Sequence, residues 1–450
     1  MYARLNELIE NKEPPYNLVD LSDFDNDLLD QLFYRISEEP SNEVSCRQEM
    51  NTALVNPKIT IEITKDCNLK CKYCEFGSPP KSLIGKSMTQ ETALEIVNLI
   101  SQKFSNSKIS LSFYGGEPFL NFDVLKLIVE SLADIVNIVS IAITTNLTIY
   151  NKEIRDFINK HHIILTISFD GYKENHNFNR LFIDGNGSYD TVYKNLTRLF
   201  NLNWSKSALF INCVISPITE FRKLINYFIE CPFTTFTNEK GFKNVQFSFV
   251  RNFDSINRYS NSFSADILDN YLKQYDELLS AFSHRDVKED HFIEAFSSQM
   301  WKVRLNDITN ALFHSSLMSP HSIVKTRPCH PGNSILYFSY NGHIKICNYL
   351  NDQVDITNIG NIETWIDKIR CEYLYNVSMK FIKKCGYCWN ASFCRPCLAS
   401  MYDTGTHDFN DMFFTNYHCV HEMALQKKLI NFVFVRMREY PIRFILSNTK

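Results

Sequence analysis

The chain has 450 residues, 44% of them hydrophobic, and a formal net charge of −3, a length that suggests two or three domains with apolar content enough for real cores. This balance gives no electrostatic case for nucleic acid as the main partner, and no apolar run approaches the ~20 residues needed to span a bilayer. The first residues, Met1 to Glu7, lack the apolar centre of a signal peptide, so a cytoplasmic protein is expected, with its 14 cysteines serving as metal ligands rather than disulfides because cytosolic thiols are kept reduced.

Residues 1–56 read as an acidic cap: positions 1–50 carry 12 acidic and 4 basic side chains, against 1 acidic and 6 basic over 425–450. Two solvated segments are the simplest account of that asymmetry. Within the cap, Leu28, Leu29, Leu32 and Phe33 share a face of a predicted helix over 23–37. The pattern then changes. An apolar alternating run from Lys58 to Thr64 reads as a strand, and directly after it come Cys67, Cys71 and Cys74, spaced CxxxCxxC. Three thiolates on one short loop can each take one iron of a cubane cluster and leave the fourth iron open. A zinc loop completed by a distant ligand is the alternative, although zinc sites usually pair CxxC halves.

With Tyr73 in the aromatic position before the last cysteine, this stretch resembles the radical S-adenosylmethionine (SAM) superfamily. The resemblance implies that SAM chelates the open iron and that reduction of the cluster cleaves it to a 5'-deoxyadenosyl radical, which abstracts a substrate hydrogen. It also implies a flavodoxin- or ferredoxin-type reductant.

From Ile59 to about Arg251 strands are predicted at 59–64, 109–114, 138–145, 163–169, 208–215 and 244–250, with helices at 89–103, 123–134, 151–160, 188–200 and 219–230. Strands alternating with helices of 10–15 residues make parallel βαβ units; six of them make an α/β fold, a partial (β/α)6 TIM-like barrel over 57–251, whose site lies at the carboxyl ends of the strands. Those ends carry suitable residues. Gly115 and Gly116 let backbone approach a ligand and Glu117 can accept from an ammonium; together with Pro118 they resemble the family's GGEP segment, which binds the SAM amino group. Thr144-Thr145-Asn146 and Ser168-Phe169-Asp170-Gly171 resemble its Thr-Asn and Ser-x-Asp-Gly segments, and Arg180 stands where relatives carry an arginine to the SAM carboxylate. Loop capping and surface pairing are the ordinary alternative for Asn146, Asp170 and Arg180.

Residues 252–326 show helical patterns at 264–283 and 289–313 and no chemical motif, so they read as a helical bridge against the open side of the barrel, its aromatics core-forming. Seven thiols follow: Cys329, Cys347, Cys385, Cys388, Cys394, Cys397 and Cys419. The CxxC pairs alone would make a fair zinc ribbon. The whole order resembles the SPASM iron-sulfur domain over 327–423, with two residues in the last gap where that family usually has three. The resemblance implies two auxiliary four-iron clusters, three 4Fe-4S clusters in all, with Cys329, Cys347 and Cys397 on the inner one and Cys385, Cys388, Cys394 and Cys419 on the outer. Cys46, Cys213, Cys231 and Cys371 stand outside these spacings and read as small apolar residues. The remainder, 424–450, is a basic C-terminal helix or tail.

SPASM enzymes mostly modify peptides. Sulfatase maturases carry an aspartate directly after the second SPASM cysteine; here Asn348 stands there, and an amide is no general base at neutral pH. The expected activity is therefore installation of a thioether, carbon-carbon or ether crosslink in a ribosomally synthesised precursor peptide, with formylglycine formation or a small-molecule reaction as alternatives. The 56 residues before the barrel are too few for the winged-helix leader-binding module of related peptide-modifying enzymes, so the leader is expected to be read elsewhere or by a separate leader-binding protein.

Overall fold

A computed structural model describes residues 56–74, 85–200, 208–237, 241–249, 273–274 and 335–345. Six parallel strands run in chain order, β1 (Lys58–Thr64), β2 (Lys108–Gly115), β3 (Asn137–Thr145), β4 (Ile164–Ser168), β5 (Leu209–Ile215) and, after a two-stranded hairpin of β6 (Phe236–Thr237) and β7 (Gly241–Phe242), β8 (Val245–Phe249). All six match the predicted strands.

The helices between them are amphipathic. In α1 (Gln90–Phe104) the buried side chains are Ala93, Ile96, Val97, Ile100 and Phe104, the three-and-four spacing of one helical face. Its first turn is closed by Thr89, whose Oγ1 accepts from Thr92 N at 3.2 Å, and Asn151 caps α3 (Lys152–Lys160) through Ile154 N at 2.9 Å. A short 3-10 turn, Pro118–Asn121, leads into α2 (Phe122–Leu132). Two helices follow β4: α4 (Lys173–Asn179), absent from the sequence-based expectation, and α5 (Tyr189–Phe200). After β5 comes α6 (Phe221–Glu230).

The sheet is two-faced. Ile59, Ile61, Ile63, Ile109, Leu111, Phe113, Ile143, Leu165, Ile167, Leu209 and Ile211 are buried in one continuous core with the helices. The other face is mostly small and polar, and residues paired in register share it: Ser110 with Ser140, Thr144 with Thr166, Ser168 with Asn212, Val214 with Ser248. Ser140 Oγ donates to Ser110 Oγ at 3.0 Å and Ser248 Oγ to Asn212 Oδ1 at 3.2 Å across that face.

Two further strands, β9 (Ile335–Phe338) and β10 (Ile344–Lys345), extend the sheet at the outer edge of β1, so its order is β10-β9-β1-β2-β3-β4-β5-β8. β9 is parallel to β1 and β10 antiparallel to β9. This hairpin lies between Cys329 and Cys347, in the stretch the sequence assigns to the cysteine-rich C-terminal domain, and it docks on the first strand of the barrel-like sheet. Lys345 Nζ reaches Glu62 Oε2 at 3.5 Å, both side chains almost fully buried on the polar face. The expected N-terminal helix, most of the 252–326 bridge, the basic tail and all seven C-terminal cysteines lie outside the described residues. One bridge residue is described in contact with the fold: Gln274 Oε1 accepts from Phe221 N at 2.9 Å, serving the first amide of α6, whose N-cap Glu220 makes no side-chain bond. Gln274→Ala is expected to cost about 1 kcal/mol, read as a lower thermal midpoint.

Candidate active site

Because the strands are parallel, the segments after β1 to β5 gather at one end of the sheet. The cysteine loop there is held on both sides. Residues 68–72 run beside 179–183: Lys70 N donates to Leu181 O (2.8 Å), Lys72 N to Asn179 O (2.9 Å) and Ile183 N to Asn68 O (3.3 Å). On the other side, Asp66 accepts from Gly85 N at 2.9 Å and from Ser87 Oγ at 3.2 Å, and the Thr64 and Ser87 hydroxyls meet at 2.6 Å. Cys67, Cys71 and Cys74 are half-buried, outside any disulfide, on the loop thus clamped.

The paired glycines act first on the protein itself. A Cβ on Gly115 would lie 2.1 Å from Thr64 O, and one on Gly116 2.0 Å from Asp66 O, so only glycine lets the end of β2 close against the end of β1. Gly116 N donates to Thr64 O and Glu117 N to Asp66 O, each at 2.8 Å. Glu117 is fully buried: Oε1 accepts from Thr145 Oγ1 (2.7 Å) and Phe119 N (3.2 Å), and Oε2 from Asn146 N (2.7 Å). Burial pushes its pKa up to about 7 against the pull of those three bonds. Asn146 in turn points its side chain at the cysteine loop, with Nδ2 3.0 Å from Asn68 Oδ1 and 3.9 Å from Cys67 Sγ. Ser168 ends β4, half-buried on the polar face.

Asp170 and Arg180 come together. Arg180 Nε donates to Asp170 Oδ2 at 2.9 Å and Nη2 to Oδ1 at 3.3 Å, with Arg180 6% exposed and Asp170 fully buried. The Tyr73 hydroxyl also donates to Asp170 Oδ2, and Val214 N to Oδ1 at 2.9 Å. Arg180 Nη1 lies 4.0 Å from Cys71 Sγ, and the guanidinium sits 5.3 Å from the Tyr73 ring centroid. Tyr73, the aromatic of the motif and a candidate SAM contact, is thus also an anchor of the loop. Sequence reasoning did not single out His176, fully buried on α4, whose Nδ1 accepts from Asp170 N at 3.2 Å and whose Nε2 meets Ser188 Oγ at 3.0 Å. Its signal was there: six residues after Asp170 and four before Arg180, one helical turn from the latter.

The donor set fits an iron-sulfur cluster. Burial pushes the Cys67 thiol well up and Cys71 up to about 12, against the pull of Arg180, so both need a metal to become thiolates. Polar groups wait for the negative sulfurs: Leu69 N (3.4 Å) and Asn146 Nδ2 at Cys67, Arg180 at Cys71. Among the described residues no three His, Cys, Asp or Glu side chains converge on a point one metal ion could fill, whereas a cubane spreads its ligands over separate irons. Glu117→Gln tests how the site is built. Three donors already converge on the carboxylate, so an amide group must face one of them, and despite the matched shape the variant is expected to lose about 1–3 kcal/mol in equilibrium unfolding.

Residues 61–227 match the family model of the radical SAM superfamily. The radical SAM cyclopropyl synthase TigE of Paramaledivibacter caminithermalis is 22% identical over 238 residues, 48% of this chain and 49% of that protein. The cysteine-type anaerobic sulfatase-maturating enzyme of Clostridium perfringens is 28% identical over 190 residues, 40% of this chain and 48% of that protein; the chain spans about half the length of these curated relatives. Among solved structures, anSMEcpe with bound AdoMet shares the fold at a TM-score of 0.55 and 19% identity, over 88% of this chain and 100% of that one. The same protein with AdoMet and the Cp18Cys peptide gives 0.54 at 18% identity, over 88% and 99%. Among the described residues no helix is long and apolar enough to cross a membrane. The match to the radical SAM superfamily model falls on residues 61–227, the part of the chain that carries the three cysteines at the carboxyl end of the first parallel strand.

Proposed function

We propose that the protein is a radical SAM enzyme that installs a thioether, carbon-carbon or ether crosslink in a ribosomally synthesised precursor peptide. The observation that carries the reading is the polar face of the sheet. Ser110, Ser112, Ser140, Thr166, Ser168 and Asn212 line it, partly exposed, short and uncharged, and Glu62 and Lys345, which carry charge there, face each other. Such a surface offers hydrogen bonds along its length and width for an extended backbone; a phosphorylated small molecule calls for clustered cations. The fold likeness to a protein solved with a peptide supports the same choice. The bond type is open between the three crosslinks, and formylglycine formation is the second reading, favoured by the likeness to the anaerobic sulfatase-maturating enzyme and disfavoured by Asn348.

In this reading Cys67, Cys71 and Cys74 hold the SAM-cleaving cluster, and SAM lies against Tyr73, Gly115, Gly116, Glu117, Asn146, Ser168, Asp170 and Arg180. When bound, cluster and SAM supply the one-electron chemistry that removes a hydrogen atom from the peptide. The chain's own residues prepare the place: Arg180 offsets negative charge at Cys71, Leu69 N and Asn146 Nδ2 donate to Cys67, and the ribbon at 179–183 keeps the loop in register. The proposal includes two auxiliary 4Fe-4S clusters on Cys329, Cys347 and Cys397 and on Cys385, Cys388, Cys394 and Cys419, a flavodoxin- or ferredoxin-type reductant, and a separate leader-binding protein.

Joining two side chains that bear C–H, S–H or O–H bonds removes two hydrogens. Mass spectrometry of a short peptide encoded beside the gene, after reaction, is expected to show that loss once per crosslink. A net gain would mean an ether oxygen from another source, and conversion of a sulfatase cysteine peptide to formylglycine would establish the second reading. Changing Cys67, Cys71 and Cys74 together to Ala is expected to abolish 5'-deoxyadenosine formation under dithionite while auxiliary iron stays; continued SAM cleavage by that variant would sink the cluster assignment.

A further inference from the structure

His176 touches no reacting group, yet both ends of the segment from Asp170 to Ser188 close on it. Ser188 Oγ donates to Arg180 O at 2.7 Å, which uses the hydroxyl proton, so at the 3.0 Å contact with His176 the serine oxygen accepts and Nε2 carries the hydrogen. Asp170 N is a donor, so Nδ1, 3.2 Å away, is bare. The two contacts together leave one form of the ring: neutral, protonated on Nε2. Arg180 N also donates to His176 O at 2.8 Å, and the ring packs 5.1 Å from Phe169 and 5.8 Å from Tyr189, centroid to centroid. The backbone of Arg180 is therefore gripped at its N–H and its C=O by one residue and its serine relay.

We propose that His176 is a positioning residue that, through Asp170 and Ser188, holds the Arg180 charge against Cys71 and thereby sets the reduction potential of the cluster on the cysteine loop. The inference rests on the reading of Cys67, Cys71 and Cys74 as cluster ligands. Charge and hydrogen bonds at the sulfurs are among the terms that fix such potentials. A cation beside Cys71 favours the reduced, more negative cluster. Among the described residues the titratable groups around the ring are Arg180; Asp170, whose carboxylate is turned to Arg180, Tyr73 and Val214; and Tyr189, whose hydroxyl goes to Tyr227 at 2.8 Å. Burial first, and the Arg180 charge next, push His176 well below the usual imidazole value. A second proton on the ring would set Nδ1–H against Asp170 N–H. Since the unfolded chain takes up that proton near pH ~6.5 and the folded chain only at lower pH, the stabilisation is complete above ~6.5 and is lost as pH falls below it.

The test uses the full-length, iron-loaded protein with two variants. His176→Asn keeps an acceptor where Nδ1 stands; His176→Leu fills the space with no polar atom. In a redox titration followed by electron paramagnetic resonance, the signal that disappears in the Cys67, Cys71, Cys74 triple-Ala variant reports the cluster in question. His176→Leu is expected to move its midpoint to a more negative potential and to weaken SAM binding about tenfold, some 1.4 kcal/mol, with His176→Asn lying between it and the wild type. The wild type's lead in thermal midpoint over His176→Leu is expected to shrink as pH falls below ~6.5. An unchanged potential in iron-replete His176→Leu overturns the proposal, as does an equal shift in both variants that simply follows their loss of stability. Should His176→Leu fail to fold, Ser188→Ala, which cuts the relay to Arg180 O alone, must shift the potential in the same direction or the proposal falls. If the wild type itself shows no signal dependent on the three cysteines, the cluster reading fails, and the pH dependence of stability still tests the histidine lock.

Discussion

One buried carboxylate joins the parts of this site. Asp170 lies just past β4 and receives donors from three other places: Tyr73 on the cysteine loop, Arg180 at the end of α4, and Val214 N on β5. A charge so placed is costly to bring out of water, and it is tolerated here because a cation and neutral donors occupy both oxygens. The arrangement is correspondingly intolerant. Removing the arginine alone would leave an uncompensated buried charge, a defect of about 3–5 kcal/mol in comparable settings. Position, in this site, is enforced by electrostatics that have no second-best solution.

The alternation of the six strands was readable in the sequence because one face had to be apolar: Ile59, Ile61 and Ile63 repeat at the strand period, and Ala93, Ile96, Val97 and Ile100 at the helical one. The strand-end motifs were readable too, since parallel topology brings them to one end wherever they fall in the chain. What they do once there was less so. Gly115 and Gly116 were read for a ligand's approach, and the nearest atoms to them belong to Thr64 and Asp66. Asp170 and Arg180 match two separate motif positions and form one buried pair, a relation between residues ten apart that no spacing rule encodes. The helix α4 escaped notice because Lys173–Asn179 is short and polar, its Asn175, His176 and Asn179 buried through hydrogen bonds rather than apolar contact. The docking of β9 on β1 is a non-local pairing, and local pattern is silent about those.

The strands also explain why the sheet keeps a usable surface. Parallel sheets covered on both faces read as nearly continuous apolar runs. In β2 the run Lys108–Gly115 alternates instead, with Ile109, Leu111 and Phe113 buried and Ser110 and Ser112 partly exposed. Among the described residues the helices pack on the apolar side. In the proposed reading, short hydroxyls on that polar face would hold a peptide by hydrogen bonds, beside the cysteine loop at the strand ends.

The pairing of Lys58 with Ile335 has a consequence for biosynthesis. The outer edge of β1 remains without its partner until a stretch roughly 280 residues further along has been made, which at about 5–20 residues per second takes on the order of half a minute. During that interval a strand with three buried isoleucines presents open hydrogen-bonding groups, the form in which nascent sheets recruit the wrong neighbour. Chaperone supply and slow, cool expression should therefore govern the yield of this protein more strongly than the stability of its finished fold.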